Sequence, residues 1–245
     1  MNAARYGIIV LLLSFFALGF VRSDERTIGR VNFILGDQGA IRVHHPGNTQ
    51  WQRAQLYAPV YNGDRFRTLQ ESRCEIKLGK KGVIRIGENA DLVLRYNPKK
   101  KTNKSTLSKG RFWASLKGFF NRGSFLIRTP TAVCAVRGTI YSIDADSTTK
   151  ISVYDGKVDV GPAWFAEADS VPRVPQQRSL QPTEVPGPTE VPGPFEVSLE
   201  QWVQIVAGYQ IEIRADGKYS KTKIDPSQDK KDDWVNWNLQ RDGQK

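Results

Sequence analysis

The chain has 245 residues, 39% of them hydrophobic, and a formal net charge of +11. That length is enough for one substantial core, while two cysteines and two histidines exclude a disulfide scaffold and a histidine-rich metal centre. The basic excess points to anionic neighbours.

Arg5 and the amino terminus open the chain with positive charge, residues 8–21 form a nearly unbroken apolar run, and Val21-Arg22-Ser23 offers a cleavage site. About fourteen apolar residues suit a signal-peptide core better than the roughly 20 that span a bilayer. Residues 1–23 are therefore expected to be a signal peptide, with an uncleaved anchor as the alternative. Removing them takes away Arg5 and Arg22 and no acid, which lowers the formal charge from +11 to +9. No second run of spanning length follows. Export implies a periplasmic or secreted protein of a bacterial cell envelope. It sets nucleic acid aside as a partner, leaving lipopolysaccharide, phospholipid head groups and acidic glycans as the anions to meet.

Beyond the signal, short alternating apolar and polar runs at 83–86, 91–95, 124–128, 139–144, 150–154 and 157–160 are separated by Gly, Asn, Asp or Pro. This is the pattern of many short strands joined by tight turns. Residues 97–109 carry Lys99, Lys100, Lys101, Lys104 and Lys109 and read as a long, exposed, cationic hairpin loop. Asp155-Gly156 and Asp216-Gly217 are hairpin signals, since both residue types tolerate a positive φ. From about 161 to 194 the chain is rich in proline, and Thr-Glu-Val-Pro-Gly-Pro occurs twice, at 183–188 and 189–194. Proline removes backbone donors and fixes φ, so this stretch reads as an extended insertion whose flanking strands belong to one domain. Alternation resumes over 208–214, with Tyr209, Ile211 and Ile213 on one face. The tail 219–245 is polar, with a short, weakly held helix expected over 232–239. Trp234 and Trp237 would share its face, docking on the domain or stacking on a sugar.

Phe125-Leu-Ile-Arg-Thr-Pro-Thr-Ala-Val-Cys-Ala-Val-Arg-Gly-Thr139 resembles the signature of the FecR domain family. Tyr57-Ala-Pro-Val-Tyr-Asn-Gly-Asp64, residues 86–92, residues 151–160 and residues 203–213 agree with that family in order and spacing. The resemblance runs from Gly29 to Lys218 around the proline insertion. It implies an all-β domain of stacked hairpins, an elongated sandwich or solenoid. Gly63, Asp64, Thr129, Pro130, Arg137, Gly138, Thr139, Asp155 and Gly156 are its fold signature. Arg137 reads either as a buried fork for backbone carbonyls, the favoured role, or as an exposed anchor for an anion. The best-known members are transmembrane regulators whose cytoplasmic domain controls a sigma factor. With about seven residues before the apolar run, this chain instead resembles stand-alone exported members.

No catalytic constellation is expected. His44 and His45 are strand neighbours that point to opposite faces, and Cys134 sits among Ala and Val with no base nearby. Asp144 and Asp146 are ordinary strand-turn acids, and neither a metal nor a cofactor is implied. Cys74 and Cys134 form either a disulfide or, the favoured reading, two buried thiols. The expected function is a non-catalytic binding or scaffold protein that engages another envelope protein through its β domain. The alternative is a glycan- or lipopolysaccharide-binding module that uses Lys99, Lys100, Lys101, Lys104, Trp234 and Trp237.

Overall fold

The computed structural model describes residues 27–79, 82–97, 102–116, 124–166, 197–198 and 201–243. The apolar leader, Lys99 to Lys101 and most of the proline insertion lie outside them.

The strands fall into two facing sheets, and the chain passes repeatedly from one to the other. β1 (Thr27–Leu35) lies in the first sheet, while β2 (Ile41–His44) and β3 (Gln52–Arg53) form a hairpin in the second. β4 (Pro59–Tyr61) returns to the first sheet and β5 (Arg65–Thr68) to the second. The hairpin of β6 (Arg73–Lys77) and β7 (Val83–Ile86) belongs to the first. β8 (Asp91–Val93) and β9 (Tyr96–Asn97) belong to the second.

β10 (Thr102–Ser115) serves both sheets. Its first half lies between β8 and β11 (Ser124–Arg128), which it meets in parallel, and its second half pairs with β7 and β13 (Ile140–Ala145). β12 (Ala132–Val136) pairs with β11 in the second sheet, and β14 (Thr149–Asp155) with β13 in the first. β15 (Lys157–Pro162) joins the second sheet and runs into a 3-10 turn at Ala163–Ala166. After the insertion, β16 (Val197–Ser198), β18 (Tyr209–Ile213) and β19 (Lys218–Lys223) extend the first sheet, and β17 (Val203–Val206) the second. The pairings β15–β17 and β14–β18 place strands from both sides of the insertion in the same sheets. Two helices close the chain, α1 (Pro226–Lys231) and α2 (Asp233–Gly243).

Strand alternation lays the core down in rows. Cys74, Ile86, Phe112, Ile143, Ile151 and Ile211 are successive partners across the first sheet, and Val31, Ile76, Ile84, Ala114, Tyr141 and Val153 form the next row. Phe125, Val136, Val158 and Ile205 answer them from the second sheet. All of these belong to one buried cluster. At roughly 1.5–3 kcal/mol per buried aliphatic or aromatic side chain, these rows are the main favourable term in folding.

Several expectations from sequence are corrected. Asp155-Gly156 is not a hairpin turn, because β14 and β15 lie in different sheets; it is a corner. Gly156 has φ +81°, and a Cβ there would come within 3.0 Å of Thr139 Oγ1. Asp216-Gly217 does close the β18–β19 hairpin. Residues 102–109, expected to lie in the cationic loop, are strand. Buried Asn103 and Ser105 satisfy each other there, Oγ to Oδ1 at 2.6 Å, which hides the strand's alternation behind polar residue types. The terminal helix runs to Gly243 and is firmly docked.

Gly110 marks the point where β10 leaves the second sheet for the first. Its φ is +91°, and an added Cβ would lie 2.4 Å from the Ala90 Cα. Gly110→Ala combines left-handed strain with a backbone clash. It is expected to cost at least about 2 kcal/mol in urea denaturation, whereas Gly217→Ala, with nothing near its Cβ, should cost less.

Candidate interaction surfaces

The outer face of the first sheet is covered by α2. The cross-strand row Phe33–Glu75–Arg85–Trp113 runs beneath the helix. Arg85, with no exposed surface, donates through Nε to Glu75 at 2.7 Å, through Nη2 to Asp242 at 2.7 Å and through Nη1 to Asn238 Oδ1 at 3.1 Å. Trp113 Nε1 donates to the other oxygen of Asp242 at 2.9 Å, and Arg241 reaches Glu75 at 3.3 Å. At the other end of the helix Asp232 accepts the backbone N–H groups of Trp234 and Val235, at 3.0 and 3.2 Å. It also holds Arg111 with both oxygens, at 3.0 and 2.5 Å. Arg73 pairs with Asp233.

Aromatic rings fill the gaps between these charges. Trp234 and Trp237 stack at 5.8 Å, Phe33 lies 5.7 Å from Trp237, and Arg73 and Arg241 sit 5.0 and 5.1 Å from the Trp237 ring. Trp234 is buried and Trp237 half-buried. Both residues offered as sugar contacts are thus packed into the protein, as the docking alternative had it.

Burial by itself would raise the Glu75 carboxyl. The hydrogen bonds from Arg85 and Asn32, with the charges of Arg85 and Arg241, outweigh burial and hold it below the ordinary value of 4.5. Asp232 is likewise held below 3.8, burial being outweighed by Arg111 and the two backbone donors. Asp144 and Asp229 move the other way, raised chiefly by burial.

The signature residues build corners and turns. Asp64, fully buried, accepts from Tyr61 N at 2.8 Å and contacts His45 Nδ1 at 2.7 Å, tying the β4–β5 corner beside Gly63. Pro130 lies in the β11–β12 turn, closed by Thr129 against Ala132. Thr139 Oγ1 donates to the Lys157 carbonyl at 2.8 Å, joining the Gly138 and Gly156 corners. Arg137 is exposed rather than the buried fork that the sequence favoured, because it occupies the bend between β12 and β13. Lys104 lies on the exposed side of β10. Cys74 and Cys134 are free thiols with no bridge between them. They sit in different sheets, and burial pushes Cys74 up to about 12 and Cys134 higher still, so both are inert. Among the described residues no group of three His, Cys, Asp or Glu is placed to hold a metal.

A second arginine-rich surface, which sequence reading missed, lies on the outer face of the second sheet. Asp91 accepts from Arg65 at 2.6 and 2.7 Å and from Arg67 at 2.8 Å, and the Trp51 ring lies 4.5 Å from the Arg67 guanidinium. At the end of that sheet β17 pairs with β15 alone among the described residues.

Residues 64–159 match the FecR protein family. The chain carries a FecR domain. The match begins at the Gly63-Asp64 corner and ends inside β15, so β1 to β4 and β16 to β19 extend both sheets beyond it. No curated protein matches the chain. Two crystal structures of a candidate anti-sigma factor from Parabacteroides distasonis ATCC 8503 are similar to it, at 16% identity and TM-scores of 0.42 and 0.44. Each comparison covers 66% of this chain and 60% of the other.

Asp242→Ala leaves Arg85 buried with one carboxylate fewer. It is expected to cost about 3–5 kcal/mol where it unseats the helix, read as early protease cleavage between β19 and α2. Asp232→Asn tests the charge at the other end. The wild type's stability advantage over this variant should be complete above about pH 5 and vanish as the pH falls through the lowered Asp232 value. Parallel urea titrations from pH 6 to pH 2 measure that difference.

Proposed function

We propose that this protein is an exported, non-catalytic component of a bacterial cell envelope whose β domain binds an extended segment of another envelope protein at the edge of β17 that no described strand covers. The observation that carries the reading is the contrast between β17 and the end of β19, where residues 218 and 219 meet β16 and β18 but 220–223 meet β18 alone among the described residues. That stretch of β19 displays Lys221 and Lys223, the charges with which proteins guard an edge against pairing. β17, Val-Gln-Ile-Val, carries no charge, and its Val206 is 41% exposed. The Lys221 ammonium caps one carbonyl of that strand, Gln204 O, at 3.2 Å. Strand addition at such an edge draws affinity from main-chain hydrogen bonds and specificity from alternate side chains.

The FecR match supports a regulatory, signalling-related role. The apolar run at 8–21 supports export, and amino-terminal sequencing of the mature protein should begin at Asp24.

Binding is tested in the envelope with full-length protein. A cross-linker placed at Val203 should yield a discrete adduct with a second protein. Val206→Lys should abolish that adduct, while Leu239→Lys, an equally exposed apolar site on α2, should leave it intact. An adduct that survives Val206→Lys overturns the assignment of the edge.

A further inference from the structure

The outer face of the second sheet carries a row of like charges for which the protein supplies little compensation. Arg53 is the cross-strand partner of Arg42, Arg42 of Arg67, Arg67 of Asp91, and Asp91 of Lys109. Five neighbouring strands thus place Arg, Arg, Arg, Asp and Lys side by side at the strand spacing of about 4.8 Å. Arg65 leans onto the same Asp91 from the next row. One carboxylate therefore faces five cations.

Like charges directly opposite each other on adjacent strands repel. Three arginines in a row are a cost that folding does not ask for. The two outermost lean on neutral oxygens: Arg42 Nε donates to the Gly39 carbonyl at 3.3 Å, and Arg53 Nη1 to Gln38 Oε1 at 3.1 Å. Both are exposed.

The inner pair is held ready. Asp91 engages Nε and Nη2 of Arg65 but only Nε of Arg67, so both terminal amines of Arg67 are left without a protein acceptor among the described residues. The Trp51 ring lies 4.5 Å from the Arg67 guanidinium and 5.8 Å from that of Arg65, and His44 packs against the same ring at 5.4 Å. A guanidinium fixed by a carboxylate on one side and an indole on the other has little freedom left to lose on binding. The Asp91 carboxyl is held below its ordinary value, burial being outweighed by the bonds from Arg65 and Arg67, so it stays charged and the clamp persists at neutral pH.

We propose that this arginine row is a binding site for an extended acidic glycan, whose carboxylate or phosphate groups cross the strands and meet Arg53, Arg42 and Arg67 in turn. Several negative groups must arrive together, because each exposed guanidinium by itself is a weak site. A sheet face that repeats guanidinium forks from strand to strand suits a linear polyanion better than a compact ion. The site is distinct from β17, which lies at the opposite end of the same sheet, so the two are lost independently.

The test uses the full-length protein and oligogalacturonate as the probe, with binding followed by calorimetry at rising salt. The paired variant Arg42→Gln/Arg53→Gln spares the Asp91 clamp and the core. It should weaken binding about tenfold and flatten the salt dependence. A charge-matched control, Lys218→Gln/Lys223→Gln, on the first sheet, should leave affinity within about twofold. Equal losses in the two variants would mean diffuse attraction to net charge and would overturn the site, as would no loss in the arginine pair. Vesicles of anionic phospholipid form the second arm: tighter binding to them than to oligogalacturonate, lost in the same arginine variant, would overturn the glycan in favour of a lipid surface.

Discussion

Two facing sheets share a single apolar layer, and everything else in this protein is arranged around keeping that layer continuous. Each strand has only alternate residues to give to it. A row such as Cys74–Ile86–Phe112–Ile143–Ile151–Ile211 is closed only when six strands in the first sheet hold register. A one-residue slip in any of them would turn its apolar set outward. The corners exist to protect that register. Gly110 and Gly156 let the chain turn sharply from one sheet into the other without using up a rung, and Asp64 and Thr139 tie the neighbouring bends with side-chain hydrogen bonds. On the far side of the proline-rich stretch, β17 pairs with β15 in register.

The outer faces of the two sheets solve the same electrostatic problem in opposite ways. On the first sheet Glu75 lies inside the protein and receives Asn32, Arg85 and Arg241, while Asp242 completes the match for Arg85. Charge is balanced there, and the helix is the lid that balances it. A buried guanidinium is costly unless its donors are met, so α2 serves the sheet both by meeting Arg85 and by packing Trp234, Val235 and Trp237 over Trp113. On the second sheet Asp91 is again a shared acceptor, but among the described residues no helix covers it, and the arginines around it outnumber the carboxylates. The same residue types thus make a closed structural joint on one side and an open cationic surface on the other.

The tryptophans follow that division. Trp113 turns its indole N–H to Asp242 and stacks with Tyr154 at 4.7 Å, and Trp234 and Trp237 fill the space between guanidinium groups. Their role is to exclude water from the ion pairs, which strengthens each of them. Trp51 instead lies beside Arg65 and Arg67 at the solvent boundary.

The sequence by itself determined the all-β class, most strand positions and the FecR likeness, because alternation and turn chemistry are local properties that survive without the rest of the chain. It also marked Gly63, Asp64, Gly138 and Gly156 as turn positions. What it did not decide is which strands pair. Asp155-Gly156 has the chemistry of a hairpin and makes a corner, and residues 102–109 have the composition of a loop and form a strand, since the partners that settle both lie elsewhere in the chain. The two arginine surfaces were invisible for the same reason. Arg85 finds Asp242, and Arg53 finds Arg42 and Arg67, only after the sheets have formed, and no spacing in a linear sequence records a neighbour across a strand.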